Sequence, residues 1–173
     1  MNIRERYNIE YTTSTFTLYP NKASLQLSWW FLGGMVTGLV VLVFFENYLD
    51  KSIFWVICTL LIYFTLHSLY DVKIGSEIHY IFDASENAVY KKNPFFLRKK
   101  IMKLDEAVIF VHSEMGSWYY ALGADQSQFI KNYKISEGFS SGQKSLERQK
   151  AYENFILNKI ANLIENINLE LKN

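Results

Sequence analysis

The sequence is short of several things at once. It holds one cysteine, Cys58, which excludes a disulfide framework and any multi-cysteine zinc or iron–sulfur site. It has no excess of either charge. Its 18 Lys and Arg stand against 17 Asp and Glu, so it is no polycation built for nucleic acid, and none is expected as a partner. Neither G-x-x-x-x-G-K-[ST] nor G-x-G-x-x-G occurs. His67, His79 and His112 have no second histidine three or four residues away, and no metal site stands out. Nucleophilic catalysis lacks a frame. Cys58 lies in an apolar run, and the S-x-x-K at Ser141 to Lys144 sits at a predicted helix start without companion motifs. Asp105 and Glu106 are adjacent carboxylates, and in a strand these point to opposite faces. No cofactor is expected, and the chain does not read as an enzyme.

What the sequence does have is apolar and concentrated. From Leu25 to Phe45, 21 residues carry no charge. At about 1.5 Å per residue such a helix is roughly 31 Å long, enough for a hydrocarbon core of about 30 Å. A second uncharged run, Ile53 to Tyr70, spans about 27 Å. The connection Glu46 to Ser52 is short enough for a tight turn. The pattern predicts a transmembrane helical hairpin over 25–70, with spans 25–45 and 53–70, after an extended segment over 1–24. A buried helix pair in a soluble protein is the alternative, but it would show a polar face. Ser28, Thr37, Thr59, Thr65, His67 and Ser68 are too scattered to make one. Trp29, Trp30 and Tyr70 lie at one level and Tyr48 and Trp55 at the other, as in an aromatic belt. The turn has only Lys51, whereas Arg4, Arg6, Lys22 and Lys73 flank the spans, which predicts both termini in the cytoplasm. Gly34 and Gly38 form a G-x-x-x-G suited to helix packing, either between the spans or across a homodimer. His67, with no acid inside the span, suits an interfacial hydrogen bond better than a proton relay.

Beyond Tyr70 the pattern turns to strands. Ser76–Phe82 and Ala88–Lys92 alternate around the turn-rich Asp83–Asn87. Asn93-Pro94 breaks the run. Phe95–Leu104, Glu106–His112, Trp118–Leu122 and Phe129–Ile135 are further strand candidates. Tyr7 to Leu18 also looks extended and could pair with this sheet. In Trp118–Leu122, Trp118 and Tyr120 share one face and Tyr119 takes the other. Ser140 to Gln143 fits an S-x-x-Q capping box opening a helix over 141–170. Its stripe is Leu146, Tyr152, Ile156, Ile160, Leu163, Ile164 and Ile167, laid on the sheet. Asn154, Asn158, Asn162 and Asn166 fall largely elsewhere on the wheel.

An antiparallel meander capped by a C-terminal helix has the outline of a pleckstrin-homology (PH)-like domain. The sequence resembles bacterial membrane-anchored families, largely uncharacterised, that join a two-helix hairpin to such a domain. Three stretches carry the resemblance: FTLYPNKASLQL at Phe16–Leu27, the hairpin itself, and NPFFLRKKIMKLDEAVIFV at Asn93–Val111. The resemblance implies an α+β membrane protein of the bacterial inner membrane, with a cytoplasmic PH-like domain over 71–173.

The densest local feature is Lys91 to Lys103. Lys91, Lys92, Arg98, Lys99, Lys100 and Lys103 occur with no acid among them, around Phe95 and Phe96. Near an anionic surface each base gains about 1 kcal/mol, so these eight residues are the expected lipid- or partner-binding site. A charged strand edge that discourages sheet pairing is the plainer reading. The expected function is a membrane-tethered, non-catalytic binding module for lipid headgroups or a protein partner. An immunity-type protein that neutralises a toxin and an accessory subunit of a membrane complex are the alternatives.

Overall fold

The structure, a computed structural model, describes residues 2–124 and 132–170, with only the backbone of Phe96. The chain divides between Ala23 and Ser24 and again between Ser76 and Glu77. One unit is a pair of helices. The other is discontinuous and collects the two flanking segments into sheets and a helix.

In the helical unit, α2 covers Leu25–Phe44 and α3 covers Lys51–Lys73, joined through a 3-10 turn at Glu46–Tyr48. Both are long and apolar enough to cross a membrane by length and composition. The connection is shorter than Glu46–Ser52, because the Asp50 carboxylate accepts the Ser52 N–H at 2.8 Å and starts α3 at Lys51. The helix also runs past Tyr70. That places Asp71 one turn beyond His67, with its carboxylate 3.2 Å from Nδ1, so His67 does meet an acid. Hydroxyls inside the helices close on their own backbone. Ser28, Thr37, Thr59, Thr65 and Ser68 each donate to the carbonyl four residues earlier, at 2.7–3.4 Å. Packing between the helices includes Phe31 edge-on to Phe64, with ring centroids 6.5 Å apart.

The other unit opens with α1 at Ile3–Arg6, capped by the Asn2 side chain. Strands β1 (Glu10–Tyr11) and β2 (Thr15–Leu18) follow. The segment Tyr7–Leu18 is therefore not one extended stretch. Asn8 takes a positive φ of 44° and turns the chain between α1 and β1. After the helices come β3 (His79–Asp83), β4 (Ala88–Asn93) and β5 (Phe96–Met102). With β1 and β2 they form an antiparallel sheet of order β1-β2-β3-β4-β5. Leu18 pairs with Tyr80 and Thr15 with Asp83, so the N-terminal segment joins the sheet across the whole helical insertion. β3 begins later than Ser76, which lies in a 3-10 turn at Gly75–Glu77.

A second sheet, β6 (Ala107–Glu114), β7 (Ser117–Ala124) and β8 (Tyr133–Lys134), is also antiparallel. Met115 and Gly116 both have positive φ in the β6–β7 turn, the two-residue geometry that suits strand twist. Asp105 and Glu106 belong to the β5–β6 turn and not to a strand. Residues 125–131 lie outside the described chain, so of Phe129–Ile135 only the part from 132 is placed.

The C-terminal helix starts at Gln143, not at 141. Its N-cap is Gly142 and makes no side-chain cap, while Ser140 offers its N–H to Ser145 Oγ at 2.8 Å, so the capping box does not form. α4 (Gln143–Tyr152) passes through a π turn at Glu153–Leu157 into α5 (Asn158–Glu170). Tyr152, Ile156, Ile160 and Ile167 enter a core shared with Phe16, Leu18, Tyr80, Phe82 and Val89 of the first sheet and Tyr120 and Leu122 of the second. Each such side chain contributes about 1.5–3 kcal/mol by leaving water. Leu146 of the expected stripe stays exposed. At the centre, Tyr152 stacks on Tyr120 with centroids 5.7 Å apart, lies 5.1 Å from Tyr7, and donates its hydroxyl to Ile135 O at 2.8 Å. Arg6 grips Glu137 through two hydrogen bonds, 3.1 and 2.8 Å, and ties α1 to the segment before α4.

Candidate functional site

The β4–β5 hairpin carries seven of the eight residues singled out around Lys91–Lys103, with Lys103 just beyond β5. Antiparallel partners share a face. Lys91 is directly opposite Lys99, while Tyr90 is opposite Lys100, and the register slips on either side of Tyr90–Lys91. The bases are thereby spread over both faces of the hairpin. Like charges in direct opposition repel across a ladder. The Lys91–Lys99 pair is thus a local cost that a negative surface would relieve. β5 ends the strand order, so its lysines also guard an unpaired edge.

Folding brings acids to two of the six bases. Arg98 reaches Asp83 Oδ2 at 3.1 Å and Glu86 Oε2 at 2.9 Å, and its guanidinium lies 3.5 Å from the centroid of the Tyr90 ring. Asp83 is buried. Burial alone would raise its carboxyl, but hydrogen bonds from the Ser85 hydroxyl, the Glu86 N–H and Arg98 outweigh that and hold it below the ordinary range. Lys103 meets Glu106 at 2.9 Å, which raises its ammonium group above the ordinary value. Arg98 and Lys103 are therefore structural in this hairpin. Among the described residues no carboxylate forms a salt bridge with Lys91, Lys92, Lys99 or Lys100.

The apolar part of the site lies at the hairpin's turn. Phe95 is 73% exposed and Leu97 is 93% exposed. The Phe96 side chain lies outside the described atoms. Leu97 was not singled out by the sequence reading, although it follows Phe95 closely at the Asn93-Pro94 chain reversal. Four unpaired lysines around an exposed Phe and Leu make a surface that can meet an anionic layer by charge and its interior by the turn.

The other sequence candidates sit elsewhere. A Cβ on Gly38 would stand 3.6 Å from Leu61 Cδ2 of α3, ordinary contact, whereas Gly34 has open space on that side. The two glycines of the motif therefore do not share one neighbour. His79 stacks on Tyr19 at 4.4 Å and its Nδ1 meets Glu77 O at 2.9 Å, while the His112 ring lies 5.2 Å from that of Tyr119. Among the described residues no group of three His, Cys, Asp or Glu is placed to hold a metal.

One pattern escaped the sequence reading. Gly138-Phe139-Ser140-Ser141-Gly142 spells G-x-S-x-G. A nucleophile turn of that kind needs a strained serine facing a base. Ser140 is not among the residues of positive φ, and the rings of His79 and His112 are turned to Tyr19 and Tyr119. Ser140 shapes the start of α4 through its N–H bond to Ser145.

No protein-family model, curated protein or solved structure matches the chain, so the reading of this surface stands on its own chemistry.

Proposed function

We propose that the protein is a membrane-tethered, non-catalytic binding module of the bacterial inner membrane. On this reading α2 and α3 cross the bilayer as a hairpin with both chain ends on the cytoplasmic side. The sheet unit, an antiparallel meander closed by a C-terminal helix, is PH-like. It is held at the inner leaflet, where the β4–β5 turn engages anionic lipid.

Two features of the helices support the tether. Their lengths, 20 and 23 residues, correspond to about 30 and 35 Å of helix. Their hydroxyls bond within the helix, as a span without water requires. The observation that carries the lipid contact is the juxtaposition at the β4–β5 turn. Lys91, Lys92, Lys99 and Lys100 lack acid partners among the described residues and frame exposed Phe95 and Leu97. At about 1 kcal/mol per lysine, even half of that set would hold the turn on an anionic leaflet.

The test uses the whole chain in nanodiscs, because β2 belongs to the sheet and a fragment beginning after α3 would lack a strand. Cys58→Ser removes the native thiol, and an environment-sensitive dye is placed at Phe95→Cys. In discs containing phosphatidylglycerol the emission should shift to the blue, and the shift should fade as salt rises. It should vanish when Lys91, Lys92, Lys99 and Lys100 become Ser. Identical spectra in phosphatidylcholine and phosphatidylglycerol discs would overturn the lipid contact and turn the search to protein partners.

A further inference from the structure

A separate cleft lies between the N-terminal segment and the C-terminal helix. It has a volume of about 290 Å³, near the lower end of small-molecule sites, roughly 300 Å³. Its floor is apolar, from Ile9, Phe16 and Phe155. Tyr11 stands at its side with two cations over its ring: the Arg4 guanidinium carbon is 5.3 Å and Lys159 Nζ 4.3 Å from the centroid. Neither cation has a salt bridge among the described residues. Asn154, Asn158 and Asn162 also line it and no carboxylate does; one N–H of the Asn158 amide goes to Asn154 O at 3.5 Å, which leaves the other for a ligand.

The helix is specially shaped here. The π turn at Glu153–Leu157 supplies Asn154 and Phe155, and α5 supplies the other two asparagines. Single π turns cost helix regularity and recur where a wall of the helix has a task. This one is fixed from within. Glu153 and Gln149 both bond the Tyr120 hydroxyl, and Ile156 is buried in the core. The turn thus has a rigid inner side and an outer side that presents Asn154 and Phe155 to the cleft.

Two cations and three amide donors around one space match an anion with two charges and several oxygens. A carboxylate, with one charge and two oxygens, uses half of that set. Amide N–H groups and cations also suit phosphate oxygens geometrically, and the floor calls for hydrocarbon beside the charge. We propose that this cleft binds a phosphate monoester carrying an apolar substituent. Arg4 and Lys159 meet the charge, and Asn154, Asn158 and Asn162 donate to the oxygens. The site depends neither on α2 and α3 crossing a membrane nor on the β4–β5 turn. The same chemistry comes from a phosphatidate-type headgroup or from a soluble organic phosphate.

The experiment is isothermal titration calorimetry of the full chain in maltoside micelles, at low salt. The probes are inorganic phosphate, hexyl phosphate and dihexanoyl phosphatidate. Hexyl phosphate should bind more tightly than inorganic phosphate, because only it reaches the floor. The Arg4→Gln and Lys159→Gln variants should each weaken it about tenfold, the effect of losing one charged hydrogen-bond donor. Both residues are exposed, and near-ultraviolet circular dichroism of the tyrosine core checks that the fold is kept. Asn158→Ala is the further variant should Arg4→Gln lose its fold. The quadruple Lys→Ser change at the β4–β5 turn should leave the affinity unchanged, which separates this site from lipid contact at the turn. Tighter binding of dihexanoyl phosphatidate than of hexyl phosphate assigns a lipid source, and the reverse assigns a soluble one. No saturable binding of either, or affinity untouched in the Arg4→Gln, Lys159→Gln double variant, overturns the proposal.

Discussion

The two units place their polar and apolar groups in opposite ways. In α2 and α3 the hydroxyls fold back onto the preceding turn, while Trp30, Val43, Phe44 and Tyr63 are exposed. In the sheet unit the largest buried side chains are aromatic. Tyr7, Phe16, Phe82, Phe139 and Tyr152 have almost no exposure, and lysines and amides take the surface. Burial pushes the Tyr7 and Tyr152 hydroxyls well above the ordinary tyrosine value, so both stay protonated and hydrogen-bonded inside. The difference lies in what each unit leaves at its surface: large apolar side chains on the helices, lysines and amides on the sheets. A helix satisfies its backbone alone and can leave its side chains to the surroundings. A sheet must find a second layer before its apolar face is stable.

The sharpest way to break this comparison is to cut the core. Tyr152→Ala removes a ring from between Tyr7, Tyr120 and Phe139 and should cost about 3–5 kcal/mol. Trp30→Ala, at a ring 75% exposed, should shift unfolding by less than about 0.5 kcal/mol. Urea titration in detergent, followed by near-ultraviolet circular dichroism, measures both. Equal losses would mean that α2 packs as a soluble core helix does.

A smaller effect is expected from acid. Asp83 is held below its ordinary value of 3.8 in the folded chain. Its contribution is therefore complete above that ordinary value and is lost as pH falls through the lower, folded one. The urea midpoint of the sheet unit should hold down to about pH 5 and drop progressively below it, and part of that drop should disappear in Asp83→Asn. An acid limb unchanged by Asp83→Asn would remove Asp83 as its source.

Smallest of all are the glycines. Gly38→Ala meets Leu61 at ordinary contact distance and Gly34→Ala meets nothing, so each should change stability by no more than about 1 kcal/mol. The informative readout is association. A detergent-stable dimer that Gly34→Ile dissociates and Gly38→Ala preserves would assign the open glycine to a second copy.

Much of the architecture was legible because it is written locally. Two uncharged runs gave the helices, alternation around a turn gave β3 and β4, β-branched and aromatic runs gave β6 and β7, and the expected stripe gave the packed face of the last helix from Tyr152 to Ile167 but not at Leu146. What was not legible is non-local. Arg98 reads as one of six free bases until β3 and β4 bring Asp83 and Glu86 to it. Tyr7 reads as a strand residue until Glu137 and Tyr152, far along the chain, fix it beside α1. Ser140 reads as a helix cap, but its N–H goes to Ser145, and Gly142 becomes the boundary. The amide-lined cleft has no local signature at all, since Tyr11 and Lys159 meet only across the fold.

The pairing of β2 with β3 has a consequence for synthesis. A ribosome releases β2 early, and its partner only after both long helices have been made. Until then Phe16 has only the two-residue β1 beside it and Leu18 has no partner from β3, and a half-paired apolar strand is a hazard in a nascent chain. Closing a loop of that length by chance would be slow. Once α2 and α3 lie antiparallel, however, the start of one helix and the end of the other come together, and the two strands with them. The helical pair then acts as a built-in clamp that leaves only residues 19–24 and 74–78 as the effective loop.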